Sequence, residues 1–187
     1  MRLFVAVELS QDARAAASDT AERLRRALGR TIDARWIDAA QMHLTVRFIG
    51  EVEDARAQDL IGALSAPMHL PPFQLVLCRC GAFPMSGAPR VIWIGLSDGR
   101  DSLARLHRAL DLRLQPFGFA SDDRPFRAHL TVARVKRVSG RPAAIREKLD
   151  GIPVPPAASR IDRAVIFRSH LSPDGARYDA LASVPLA

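Results

Sequence analysis

No segment of this chain stays apolar for the roughly 20 residues that a bilayer crossing needs. The apolar stretch near the start, residues 3–7, is stopped at once by Glu8 and is too short for the core of a signal peptide. A soluble, cytoplasmic protein without a membrane partner is therefore expected. Cysteine is nearly missing. Cys78 and Cys80 are the only two, and strand alternation would place both on one face with Gln74 and Val76. Neighbouring cysteines on one face do not easily close a disulfide, and a zinc site would need further soft ligands close by. Two small strand residues are the plain reading, and a redox or metal role is the alternative. Lysine is almost absent too: of 27 basic residues only Lys136 and Lys148 are lysine. The net charge of +7 favours an anionic partner such as RNA, and arginine suits bidentate phosphate contacts. An arginine-rich background alone would also produce the excess. No low-complexity linker is present, so 187 residues with 48% apolar content are expected to form one unit, residues 1–187.

What is there is a mixture of short alternating segments and amphipathic ones. Residues 2–8 alternate as a strand, and Ser10 is placed to cap a helix running to about Leu28. A short segment around Arg35-Trp36-Ile37 precedes a strand over 42–49, which Gly50 ends, and a helix over 54–65 follows. Strands are expected at 73–80, 90–96 and 127–135, with helices at 102–115 and 142–149. Leu103, Leu106, Leu110 and Leu114 form a helical stripe that should face a sheet. Two last strands, 160–171 and 177–184, are joined by a turn at Ser172-Pro173-Asp174-Gly175. The regular alternation of a parallel sheet is missing, so an α+β fold of largely antiparallel sheets in two similar halves is expected.

The most informative pattern is a repeated word. His43-Leu44-Thr45-Val46 recurs as His129-Leu130-Thr131-Val132. With five histidines, such a match has a chance likelihood of roughly a few in a thousand. In an extended strand His43, Thr45 and Arg47 share one side, while Leu44, Val46 and Phe48 share the other. The second copy behaves alike, so each motif delivers an imidazole and a hydroxyl to one surface. Two such strands side by side would make a phosphate-sized site. In-line displacement at phosphorus needs a base at the attacking oxygen and an acid at the leaving oxygen. Two histidines can hold opposite protonation states near neutral pH, and hydroxyls and an arginine can hold the non-bridging oxygens. His69, His107 and His170 lack this setting, and surface or packing roles are the default for them. The strand of His170 could still pass close to the groove.

The chain resembles the 2H phosphoesterase superfamily and, within it, the RNA 2′,3′-cyclic phosphodiesterase family once described as 2′-5′ RNA ligases. The likeness runs through Arg2-Leu3-Phe4-Val5-Ala6-Val7, the block from His43 to Val52, and Pro89-Arg90-Val91-Ile92-Trp93-Ile94-Gly95. It continues from Arg124 through His129 to Arg134, and in Ser-x-Leu and Gly-x-x-Tyr elements between Ser169 and Tyr178. The resemblance implies a bilobed, pseudo-two-fold fold, with two antiparallel sheets flanked by helices around a groove that needs no metal or cofactor. It implies hydrolysis of a terminal 2′,3′-cyclic phosphate on RNA, or of a cyclic nucleotide, to a 2′-phosphate. It makes His43 the acid and His129 the base, with Thr45 and Thr131 as phosphate-holding hydroxyls.

Arg134 matches a family arginine that meets the phosphate, although strict alternation turns it away from His129 unless a bulge intervenes. Phe48 matches a family aromatic that stacks on the terminal base, while alternation sets it among core residues; both readings stand. Arg47, on the His43 face, is either a contact to the RNA backbone or a solvated charge. Ala128 departs from the family's frequent proline before the second histidine. A monomer is expected. Two other activities fit the same residues: 2′-5′ RNA ligation at the same site, and a non-catalytic RNA-end binding module.

Overall fold

A computed structural model of the protein describes residues 1–121, 125–172 and 175–187. Nine strands and four α-helices occur among them. The chain runs through β1 (Arg2–Glu8), α1 (Gln11–Leu28), β2 (Ile32–Trp36), β3 (His43–Glu51) and α2 (Asp54–Ser65). It continues through β4 (Phe73–Phe83), β5 (Val91–Asp98), α3 (Arg100–Leu114), β6 (Leu130–Val138) and α4 (Pro142–Asp150), and ends with β7 (Ala157–Ile161), β8 (Arg163–Ser172) and β9 (Gly175–Pro185).

The strands form two sheets, ordered β3-β1-β8-β9 and β2-β6-β5-β4-β7, and every pairing within them is antiparallel. α2 and α3 pack on the four-stranded sheet, and α1 and α4 on the five-stranded one. The fold is thus the expected α+β arrangement of two helix-backed antiparallel sheets. The leucine stripe of α3 lies as its period requires, with Leu103, Leu106, Leu110 and Leu114 all fully buried. Ser10 caps α1, its hydroxyl accepting from the Ala13 N–H at 3.3 Å.

Three expectations need correction. The single strand expected over 160–171 is two strands: the chain breaks at Asp162, leaving β7 in the five-stranded sheet and starting β8 in the four-stranded one. β6 begins at Leu130 rather than residue 127, so His129 stands just ahead of its strand. A register shift in β4 lies between Leu77, opposite Leu96, and Cys80, opposite Ile94. That extra residue turns Cys80 onto the core face, 3% exposed, while Cys78 stays half-buried. Burial pushes the Cys80 thiol up to about 12, so it remains protonated and inert. Both cysteines are free. Of the expected turn at 172–175, Pro173 and Asp174 lie outside the described residues, as does Arg124.

Candidate active site

β3 and β6, the strands that carry the repeated word, meet where the two sheets approach each other. The two copies of the motif share more than their letters. In β3, Thr45 pairs with Ala6 and Arg47 with Val5, so Val46 is an extra residue. In β6, Thr131 pairs with Trp93 and Ala133 with Ile92, so Val132 is an extra residue. Each motif therefore ends in a β-bulge at its fourth position. A bulge reverses which face later residues reach. The fifth residue after each histidine, Phe48 or Arg134, thereby turns into the groove, and the fourth, Arg47 or Ala133, turns into the core. Both bulge carbonyls find donors: Ile37 N–H reaches Val132 O at 2.9 Å, and His107 Nδ1 reaches Val46 O at 2.8 Å.

The imidazoles are oriented in the same way. His43 Nδ1 lies 2.8 Å from the Gln41 carbonyl and His129 Nδ1 lies 2.7 Å from the Arg127 carbonyl. A carbonyl only accepts, so each Nδ1 carries the proton and each Nε2 is left for chemistry. His43 stacks on Phe4 at 5.0 Å between ring centroids, and Tyr178 meets it edge-on at 5.1 Å. Phe83 meets His129 edge-on at 5.0 Å. A recess between the sheets is lined by both histidines, Thr45, Thr131, Arg134 and Tyr178. Burial lowers the pKa of each histidine; the carbonyl at Nδ1 offsets part of that, and the Arg134 guanidinium lowers both further. Two imidazoles, two hydroxyls, a phenol and a guanidinium around one recess can hold an anion and move protons on either side of it. Among the described residues no group of three or more His, Cys, Asp or Glu gathers to hold a metal ion.

His43, His129, Thr45, Thr131 and Arg134 share the recess. Phe48 is 46% exposed on the wall of the adjoining groove, with the Arg2 guanidinium 4.9 Å over its ring. Core packing of Phe48 is therefore ruled out. Arg47 is neither of the two things expected. It is 8% exposed, and its Nε meets Asp111 Oδ1 at 2.6 Å as a buried ion pair. His107, expected to pack or face solvent, lies 3.4 Å from the other Asp111 oxygen through Nε2 and stacks on Phe126 at 4.7 Å. His107 and Asp111 are four residues apart on α3, a spacing visible in the sequence, but the bulge that delivers Arg47 to them is not. His170 pairs with Arg177 across the hairpin, one position off the groove-facing Tyr178, and its Nε2 meets Asp179 at 2.7 Å. Phe4 and Phe167, which floor the His43 side, were signalled only by the alternation of their strands.

Two helix-backed antiparallel sheets around a shared groove define a bilobed 2H phosphoesterase fold. The match of residues 6–172 places the chain in the 2′-5′ RNA ligase superfamily, to which it belongs. Among its relatives is the RNA 2′,3′-cyclic phosphodiesterase of Thermotoga maritima, 30% identical over 182 residues, 97% of this chain and 93% of that one. The Archaeoglobus fulgidus protein of the same name is 34% identical over 148 residues, 79% of this chain and 80% of that one. In structure, TT0787 of Thermus thermophilus superimposes with a TM-score of 0.79 at 27% identity, covering 99% of this chain and 97% of that one. Escherichia coli LigT in its apo form superimposes with a TM-score of 0.70 at 24% identity, covering 100% of this chain and 97% of that one.

Proposed function

We propose that this protein hydrolyses the terminal 2′,3′-cyclic phosphate of RNA to a 2′-phosphate, without a metal ion, by paired histidine acid and base catalysis. The observation that carries the reading is the convergence of two free Nε2 atoms, two threonines and Arg134 on one recess. The names of the relatives supply the substrate. In the proposed step His129 Nε2 takes a proton from water as the water oxygen bonds to phosphorus. The bond from phosphorus to O3′ breaks, and His43 gives its Nε2 proton to O3′. Thr45, Thr131 and Arg134 hold the non-bridging oxygens as charge gathers there. Phe48 is available to stack on the terminal base.

The decisive assay uses an oligonucleotide with a 2′,3′-cyclic end, a chelator, and identification of the product isomer. A 2′-phosphate is expected. A 3′-phosphate would reverse the roles of the histidines, and loss of turnover with the chelator would remove the metal-free mechanism. The superfamily's name also raises ligation, the same ring opening with an RNA 5′-hydroxyl in place of water as the nucleophile. Joined 2′-5′ product at high RNA concentration would establish it. Salt-sensitive binding without turnover would point to an RNA-end binding module instead.

The pH dependence follows from the direction of the pKa shifts. The active form needs one neutral and one protonated histidine, and both are held below the ordinary 6.5 in the free protein. The acid loses its proton as pH rises through its lowered pKa, so the falling limb of kcat/KM should lie below 6.5, with the rising limb lower still. Arg134→Ala removes a cation near both rings and should move both limbs upward. It should also lower kcat/KM by roughly 10²–10³-fold through loss of a phosphate contact. Limbs that stay put in the variant would count against Arg134 acting on both histidines.

A further inference from the structure

We infer that the cavity on the far side of His129 is a second nucleotide subsite, which holds the phosphodiester and nucleotide just 5′ of the reacting end. This rests on the cyclic-phosphodiesterase reading and adds to it a contact with the chain beyond the terminal nucleotide. The cavity measures about 330 Å³. It shares Phe83, Met85, Phe126, Arg127 and His129 with the larger groove of about 690 Å³ that runs past Phe48. A strand whose last nucleotide occupies that groove therefore has a continuous path into the smaller cavity.

The lining chemistry fits a polyanion with aromatic bases. Arg79, Arg100 and Arg127 come from β4, the first turn of α3 and the segment leading to His129, and all three are exposed. Asp101 is the one carboxylate among the lining residues, so positive charge dominates there. The Arg127 guanidinium already lies 5.8 Å from the Phe83 ring centroid, which leaves it oriented over an aromatic wall. Trp93, 7% exposed, also lines the cavity, and its buried indole N–H has no hydrogen-bond partner among the described residues. The indole can lie across the sheet only because its neighbours are glycines. A Cβ on Gly81 would stand 2.3 Å from the ring, and one on Gly95 would stand 3.1 Å from it. An arginine-rich groove with aromatic walls is how single-stranded nucleic acid is held without regard to sequence.

The test compares kcat/KM for a 2′,3′-cyclic mononucleotide, for a dinucleotide ending in the same cyclic phosphate, and for that dinucleotide with an uncharged methylphosphonate linkage. The dinucleotide should be preferred by roughly tenfold or more, and the neutral linkage should lose most of that preference. The preference should also shrink as salt rises. In the Arg79→Ala/Arg100→Ala double variant the dinucleotide-to-mononucleotide ratio should fall toward one. Both side chains are exposed, so thermal unfolding should match the wild type. A wild-type ratio near one with brisk mononucleotide turnover would overturn the subsite and leave the active-site reading standing. A wild-type preference that survives in the double variant would also overturn it. No turnover of any of the three substrates would overturn both readings.

Discussion

Replacing His43 or His129 with asparagine is expected to lower turnover of a cyclic-phosphate end by roughly 10²–10⁴-fold. Each ring has only its Nε2 to offer, because Nδ1 is committed to a backbone carbonyl two residues upstream. Asparagine can keep that backbone bond but cannot exchange a proton near neutral pH. Acid and base act in one transition state, so the double variant should be little worse than the more damaged single one. The two roles can be separated chemically. A substrate whose 3′ leaving atom is sulfur departs as a thiolate that needs little protonation. It should restore much of the rate of His43→Asn and leave His129→Asn inactive. Stability is the control: His43 packs against Phe4, Phe167 and Tyr178, so its replacement should cost about 1 kcal/mol, too little to unfold the protein. A variant that keeps near-normal turnover would take that imidazole out of the mechanism.

Asp111→Ala should be the most destabilising single change around the site, by roughly 3–5 kcal/mol. Arg47 and Asp111 are each 8% exposed, and removing the carboxylate leaves a guanidinium buried without its counter-charge. For a chain of this length that is a fall in Tm on the order of 10 °C. Turnover should fall as well. Arg47 donates to the Phe48 and Ala120 carbonyls, and His107 holds the Val46 carbonyl of the bulge, so the network sets the path of β3 between Thr45 and Phe48. Replacing both partners by apolar residues, Arg47→Met with Asp111→Leu, should recover most of the stability, because no buried charge is then stranded. A loss under about 1 kcal/mol in Asp111→Ala would mean that Arg47 finds another way to water.

The buried network shows where reading by alternation stops. Alternation correctly set Leu44 opposite His43 and Thr45, and it holds as far as the bulge. One extra residue at Val46 then exchanges Arg47 and Phe48, and one at Val132 brings Arg134 to the recess. Bulges depend on how many residues the neighbouring strand offers, which is information from β1 and β5 rather than from the motif. The division of residues 160–171 into two strands has a similar cause: the sequence stays strand-like through Asp162, and only the partners on either side assign residues 160–161 and 163–171 to different sheets.

What this sequence determined by itself is local: where chain segments extend or coil, the cap of α1, the apolar face of α3, the repeated His-x-Thr word, and the side of the strand from which each histidine and threonine projects. These follow from side-chain periodicity and capping, which act over a few residues. Only the tertiary structure decided that the two words face one recess, that Arg134 and Phe48 join the groove while Arg47 leaves it to pair with Asp111, and that His107 holds the bulge. Those outcomes rest on strand register and on the cost of burying charge, both set by residues distant in sequence.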